Sequence, residues 1–186
     1  MNEKIANLAK TLTATGKGHI FYSSNSLEEY IRNAVSFIVY GIQQGDYVLF
    51  VENSRIFPMI QHHLKERLTE EEQSALHYIN NFDFYWRNGN FHPPTILAYL
   101  DEVMAAGNGT KRNVRTWGHV EWSDSQDIER EIAVYENELD RMVLQNEAIS
   151  VCAYNAERVS EELKKKLLSC HGYLMTDNSI ISLANK

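Results

Sequence analysis

The chain has 186 residues, of which 44% are hydrophobic and 23% are charged, so it carries enough apolar side chains for one globular domain with a real core. Its formal net charge is −7, from 18 Lys and Arg against 25 Asp and Glu. General binding of DNA or RNA needs clustered basic residues, so this composition argues against a direct nucleic-acid partner.

The placement of apolar residues and cysteines predicts a cytoplasmic protein. Residues 1–10 are polar with helical spacing, and no apolar run approaches the roughly 18 residues of a membrane span. Cys152 and Cys170 lie in different contexts, a strand and a helix end. We therefore expect two free thiols, no disulfide framework and no contact with a membrane.

The beginning of the chain predicts a short helix followed by a strand, a turn and a long helix. Residues 1–15 are predicted as an amphipathic helix, and residues 16–186 as a single domain. The segment HIFY at 19–22 is typical of a buried strand, and Ser26 with Glu29 has the spacing of a capping box. The helix after this turn carries an apolar stripe at helical spacing: Leu27, Tyr30, Ile31, Ala34, Val35, Ile38 and Ile42.

Further along, apolar runs alternate with helical patterns. Strands are predicted at 47–51, 77–85, 113–122 and 149–154. Helices are predicted at 56–68, around 96–104, from a cap at 123–125 to about 146, and around 159–170. A hairpin at 173–176 and 180–183 closes the domain. This alternation predicts a three-layer α/β/α fold with a mainly parallel central sheet.

The turn after the first strand is the usual place for a ligand in such a sheet. A phosphate-binding loop would need G-x-x-x-x-G-K-[ST] or G-x-G-x-x-G at this turn, and neither is present. The only nearby glycines, Gly16 and Gly18, precede the strand. The position therefore suits a ligand, but the residues that bind phosphate are missing.

Side chains near the ends of the predicted strands are the candidates for a site. Aromatic residues there could line an apolar pocket with a few polar groups, or could simply pack the core. The candidates are Tyr22, Glu52, Glu121, Trp122 and Tyr154 at strand ends, His19, Trp117 and His119 inside strands, and His171 after the last helix.

The pair His119-x-Glu121 raises the question of a metal. Alternation places both side chains on one face of a strand, where they could bind a metal or act as base and orienter. The zinc deaminases also need P-C-x-x-C downstream, which this chain lacks, and no third or fourth ligand stands at metal spacing. We predict no metal and no cofactor. A histidine bonded within the sheet end and a small-ligand pocket both remain open.

Covalent catalysis has weak support in the sequence. Cys152 lies in the middle of a strand, where a buried thiol is inert, and the serines at 23, 24 and 26 lack a G-x-S-x-G elbow. Cys170 and His171 are adjacent, and neighbouring residues rarely face each other productively. We predict a protein that is not an enzyme.

Four segments together resemble a known family. They are GHIFYSS at 18–24, YGIQQGDYVLFVEN at 40–53, GHVEW at 118–122 and VCAYNAERVSEELKKKLLSCHGYL at 151–174. In order and spacing they resemble the MEDS domain, the methanogen/methylotroph, DcmR-type sensory domain, from about residue 16 to about 184.

The resemblance implies a fold related to the RecA/KaiC type of P-loop ATPase with the phosphate loop lost. It also implies a sensory role toward small hydrocarbon-like ligands. When the motifs are matched residue by residue, the resemblance implies six pocket residues: His19, Tyr22, His119, Glu121, Tyr154 and His171. Strand position adds Glu52, Trp117 and Trp122.

The combined hypothesis is a non-catalytic sensory or regulatory domain. A small organic, hydrocarbon-like ligand would bind an aromatic pocket at the C-terminal edge of the sheet, oriented by His19, His119 and Glu121. Output would pass to a signalling or transcription-regulator protein, or through self-association. Two alternatives remain: a degenerate nucleotide-binding protein or ATPase, and an interaction scaffold that works through the acidic helix at 127–147 or the N-terminal helix.

Overall fold

The computed structural model describes residues 18–108 and 112–183, which form one sheet with helices on both faces. The predicted helix at 1–15 lies outside the described residues. The strands are β1 (Gly18–Ser24), β2 (Tyr47–Glu52), β3 (Leu76–Asn80), β4 (Val114–His119), β5 (Ile149–Asn155), β6 (Tyr173–Thr176) and β7 (Ile180–Ser182). The helices are α1 (Leu27–Gln43), α2 (Phe57–Lys65), α3 (Glu70–Gln73), α4 (Asn81–Tyr85), α5 (Pro93–Asn108), α6 (Ile128–Gln145) and α7 (Glu161–Cys170).

The seven-stranded sheet has the order β3-β2-β4-β5-β1-β6-β7. Every pairing is parallel except that of β6 with β7, which is the predicted closing hairpin. One hydrophobic core lies between the sheet and α1 with α2, and a second lies between the sheet and α5, α6 and α7. The predicted three-layer α/β/α architecture is confirmed.

Strand β1 shows how the sequence supplies both cores. Ile20 and Tyr22 point toward α1, whereas Phe21 belongs to the core under α6 and α7, because successive side chains of a strand alternate between faces. After the turn, Ser26 is the N-cap of α1 and its side chain accepts a hydrogen bond from the Glu29 N–H, which is one half of the predicted capping box. The other half is absent, because the Ser26 N–H donates to Asp177 instead of to Glu29.

Several predicted boundaries are wrong, and three of them are instructive. The strand predicted at 77–85 ends at Asn80, because the Asn80 side chain accepts a hydrogen bond from the Phe82 N–H and starts α4. Helix α6 starts at Ile128 rather than after residues 123–125, and its N-cap Asp127 makes no side-chain capping bond. Strand β4 ends at His119 rather than at 122. In the first case a capping side chain overrides the strand preference of the aromatic residues that follow.

Among the helices in the described part of the chain, none is both long and apolar enough to span a membrane.

Candidate functional site

A hollow of about 220 Å³ opens at the C-terminal edge of the sheet, beside the start of α1. The loops after β1 and β5 form its walls, and the end of β4 contributes His119. Its lining residues are Ser24, Asn25, Ser26, Leu27, Tyr30, Ile56, His119, Tyr154, Asn155 and Glu157. This is the edge at which the sequence predicted a ligand site.

The carboxylate of Glu52 organises the polar groups behind this hollow. It is fully buried, and its Oε1 accepts from His119 Nδ1 at 2.7 Å and from the Asn53 N–H at 2.7 Å. Its Oε2 accepts from the Tyr30 hydroxyl at 2.5 Å, and Trp117 Nε1–H donates to that hydroxyl at 2.9 Å. Since Nδ1 of His119 donates to Glu52, Nε2 is the ring's remaining polar atom at the hollow.

Burial and charge act in opposite directions on His119. Burial lowers the pKa of His119, but the hydrogen bond and the charge of Glu52 outweigh it, so the pKa lies above the ordinary 6.5. Burial, followed by the charge of Glu52, raises the pKa of Tyr30 well above its ordinary value, so its hydroxyl remains a donor. The arrangement therefore favours a cationic His119 paired with a buried carboxylate.

The raised pKa of His119 predicts how its contribution to stability depends on pH. A group with a raised folded-state pKa contributes stability that is complete below its unfolded pKa, about 6.5, and is lost as pH rises through the folded pKa. We expect the difference in unfolding free energy between the wild type and His119→Gln to shrink from pH 6 toward pH 9. Urea denaturation across this pH range measures the difference. A difference that grows with pH would contradict a raised pKa for His119.

A second carboxylate, Asp177 in the β6–β7 turn, binds the loop between β1 and α1. Its Oδ2 accepts from the N–H groups of Asn25 at 2.9 Å and Ser26 at 3.0 Å. Its Oδ1 accepts from the hydroxyls of Tyr22 at 2.7 Å and Ser24 at 2.8 Å. Burial raises the pKa of Asp177, but these hydrogen bonds outweigh it and hold the pKa below its ordinary value. A side-chain carboxylate thus occupies two backbone donors directly before α1, beside the helix N-terminus, which is a favourable place for an anion.

A third polar group lies on the opposite face of the sheet, beneath α6 and α7. His19 of β1 and Cys152 of β5 meet Glu136 of α6 and His171, which follows α7, and all four side chains are buried. One ligand atom from each lies within 4.8 Å of the others, so these residues could hold a metal ion. Tyr154, which also lines the hollow, donates its hydroxyl to Glu136 Oε1.

Burial sets the direction of the pKa shift for Cys152 and His171, whereas neighbouring charged groups set it for His19 and Glu136. Burial raises the pKa of the Cys152 thiol well above the ordinary value and lowers the pKa of His171 to about 3, with the charge of His19 acting in the same direction on His171. Burial also lowers the pKa of His19, but Asp140 and Glu136 outweigh it and raise the pKa overall. The charges of this cluster therefore depend on its own members and on Asp140.

The structure divides the predicted site residues into three sets. Tyr22, Glu52, Trp117 and His119 lie together under α1, whereas His19, Tyr154 and His171 gather around Glu136. The remaining two lie outside both sets. Glu121 accepts from Arg158 Nη1 at 2.7 Å, and the indole of Trp122 lies 4.2 Å from the Arg158 guanidinium carbon and packs on Tyr154. Glu121 therefore pairs with Arg158, not with His119.

Glu136 and Asp177 are the main residues that the sequence prediction missed. Glu136 lies four residues after Ile132 and three before Leu139, on the apolar stripe of α6, so a charge at a core position was the available signal. Asp177 looked like an ordinary turn residue. Its partners are 151 and more positions away, so no local pattern identified it.

A larger hollow, of about 550 Å³, runs along the outer surface between α1 and α2. It includes the exposed side chains of Leu27 and Met59 together with Arg32 and Arg67. The buried polar groups do not converge there. We place the candidate ligand site at the sheet edge, because small-molecule sites combine an apolar wall with a few fixed polar groups.

Solved structures place the chain in the RecA/KaiC-like class of α/β folds. It is similar to the KaiC-like protein PH0186 from Pyrococcus horikoshii OT3, with a TM-score of 0.55 and 14% identity over 86% of this chain and 70% of that one. It is also similar to the flagellar accessory protein FlaH from Methanocaldococcus jannaschii, with a TM-score of 0.50 and 13% identity over 86% of this chain and 70% of that one. At these identities the likeness shows the fold alone.

The family follows from the sequence itself. The family model "MEDS: MEthanogen/methylotroph, DcmR Sensory domain" matches residues 18–172, and the chain belongs to this family. This confirms the resemblance of the four motifs and supports a sensory or regulatory role. A search of curated proteins found no match.

Proposed function

We propose that this protein is a non-catalytic sensory domain that binds a small organic molecule in the hollow at the C-terminal edge of the sheet. The observation that supports it most is His119, whose side chain is 16% exposed at the hollow while its Nδ1 is fixed by the buried Glu52. Membership of a sensory family agrees with this role.

The size and lining of the hollow define the class of ligand. Its volume, about 220 Å³, lies below the roughly 300–1,000 Å³ of pockets that hold drug-sized molecules. Leu27, Tyr30 and Ile56 offer apolar surface, and the raised pKa of His119 favours its protonated form, whose Nε2–H is a hydrogen-bond donor. We infer a ligand of a few carbon atoms that carries a hydroxyl, carbonyl or carboxylate acceptor.

The same contacts suggest how binding would produce a signal. Tyr30 is on α1 and is bonded to the Glu52 that holds His119, so a ligand at His119 acts on α1 as well as on the sheet. A ligand shifts a population only by its differential affinity for two states. We propose that a change at α1 is read by a signalling or transcription-regulator protein, or by a second copy of the chain.

His119→Ala is expected to abolish the response to small ligands, because it removes the only histidine that lines the described hollow. The probes are methanol, acetone and acetate with their homologues of up to four carbon atoms, tested singly. A probe at 100 times its dissociation constant adds about 2.7 kcal/mol, which raises the Tm of a domain of this size by roughly 5–10 °C. Thermal unfolding and the intrinsic tryptophan fluorescence report binding.

His62→Ala is the matched control, since the His62 side chain is 73% exposed and lies on α2, away from the hollow. It should respond as the wild type does. A wild-type response in His119→Ala would contradict the assigned site. Stabilisation by Mg-ATP that survives His119→Ala would instead favour the nucleotide-binding alternative, which the contacts of Asp177 disfavour.

A further inference from the structure

The cluster around Glu136 contains two buried acceptor atoms that face each other. His171 Nδ1 lies 2.7 Å from the carbonyl oxygen of Leu167, and since a carbonyl only accepts, Nδ1 carries the hydrogen. The lone pair is then on Nε2, which lies 3.5 Å from Glu136 Oε2. Among the described residues His171 Nε2 has no hydrogen-bond partner, and Glu136 Oε2 has only the ion-pair contact with His19 Nε2 at 3.3 Å.

Such a pair is costly in a protein interior. An unsatisfied buried polar atom loses its hydration without compensation, and two acceptors in contact also repel each other. The side chains of His171 and Glu136 are each 0% exposed, so solvent does not relieve the contact. A cation between the two atoms would satisfy both.

We propose that His19 Nε2, Glu136 Oε2, Cys152 Sγ and His171 Nε2 bind one zinc ion. Zinc bonds of about 2.0–2.3 Å give a tetrahedron whose edges are roughly 3.3–3.8 Å long. The His19 Nε2 atom is 3.3 Å from Glu136 Oε2 and 3.4 Å from Cys152 Sγ, and the contact between Glu136 and His171 is 3.5 Å. Three edges of the site thus already have the required length.

The charge and softness of the donors also fit zinc. Two neutral imidazoles, one carboxylate and one thiolate bring two negative charges, which balance a divalent ion in a buried place. A mixed set of nitrogen, oxygen and sulfur ligands suits zinc, whereas magnesium and calcium prefer oxygen alone. Four protein ligands make a closed site of the structural kind, without an open position for a substrate.

Groups around the four donors are arranged as metal sites require. Asp140 Oδ1 lies 3.2 Å from His19 Nδ1, and the Leu167 carbonyl binds Nδ1 of His171, so both histidines turn Nε2 inward. Tyr154 donates to the other oxygen of Glu136. Such outer partners orient the ligands and strengthen them. The Asp140 side chain is 21% exposed, so this outer partner reaches the protein surface.

The sequence analysis predicted no metal, because the four proposed ligands are not arranged at a metal-binding spacing along the chain. His19 and Cys152 are 133 residues apart, and the parallel register of β1 and β5 brings them together. An ion there would join these strands to α6 and to the end of α7. This site is separate from the hollow and does not depend on the proposed sensing role.

Cobalt substitution tests the site in the full-length protein. The purified chain is stripped with a chelator and titrated with CoCl₂, and we expect one Co²⁺ per chain with tetrahedral visible absorption and a thiolate-to-cobalt charge-transfer band. Addition of ZnCl₂ should displace the bound Co²⁺ and abolish both absorption signals. Cys152→Ser should remove the charge-transfer band, whereas Cys170→Ser, the same change at the other buried thiol, should keep it.

A second pair of variants uses residues outside the four ligands. Asp140→Asn should weaken Zn²⁺ binding about 10–100-fold in a competition titration, as loss of an outer partner does. Glu138→Gln, at a 48% exposed side chain of the same helix, should leave it unchanged. A folded wild type that binds neither Co²⁺ nor Zn²⁺ stoichiometrically would overturn the proposal. So would a charge-transfer band that persists in Cys152→Ser.

Discussion

Replacing Glu52 by alanine is expected to lower the free energy of unfolding by about 3–5 kcal/mol, the cost of breaking a buried ion pair by removing one partner. The substitution leaves His119 without its counter-charge. It also leaves the Tyr30 hydroxyl and the Asn53 N–H without their acceptor. Because Glu52 is 0% exposed, water cannot easily replace the lost oxygens.

Urea denaturation of the wild type and Glu52→Ala measures this effect. Glu28→Ala is the control, since Glu28 is 82% exposed and pairs with Arg32 within α1, an arrangement worth about 0.3–0.5 kcal/mol. Glu52→Gln keeps one oxygen acceptor, so its loss of unfolding free energy should lie between those of Glu52→Ala and Glu28→Ala. A loss below about 1 kcal/mol in Glu52→Ala would show that the network does not stabilise the fold.

The sequence was sufficient for the architecture because each element carries its own signal. The apolar run at 47–51 and the stripe of α1 need no knowledge of distant residues. The errors fall at boundaries, such as Asn80, where one capping side chain competes with a weak strand preference. Local chemistry decides the element, and a single hydrogen bond decides where it ends.

The candidate site was predictable only in part. The position of a strand end identified Glu52 and the family resemblance identified His119, and the structure brings the two residues into contact. Alternation along β1 already places His19 and Tyr22 on opposite faces of the sheet, since side chains that are an odd number of residues apart in a strand point in opposite directions. The pairing of His19 with Glu136 could not be read from the sequence, because it depends on where α6 packs across the sheet.

The two polar clusters are joined at one point. Tyr154 lines the hollow with its ring and donates its hydroxyl to Glu136 in the cluster on the other face. A change in the charge of that cluster would therefore act on one wall of the hollow. This hydrogen bond links the cluster directly to a residue that lines the hollow.

Asp177→Ala is expected to lower the free energy of unfolding by about 3 kcal/mol, the upper end for hydrogen bonds to a charged group. Four donors lose their acceptor together: the N–H groups of Asn25 and Ser26 and the hydroxyls of Tyr22 and Ser24. The change also releases the β6–β7 turn from the start of α1. We expect faster hydrogen exchange at both N–H groups in addition to the loss measured in urea.

Asn178→Ala provides the control, because Asn178 lies in the same turn with an exposed side chain and its backbone N–H keeps its bond to Thr176. The free energy of unfolding of Asn178→Ala should stay within about 0.5 kcal/mol of the wild-type value, as it does for most surface substitutions. Asp177→Ala with unchanged exchange at Asn25 and Ser26 would contradict the role assigned to the carboxylate. If that role holds, the anion at the start of α1 belongs to the chain itself. Wild-type protein should then show no rise in Tm with Mg-ATP, because the N–H groups of Asn25 and Ser26 are already bonded to Asp177 and a bound phosphate would meet its negative charge.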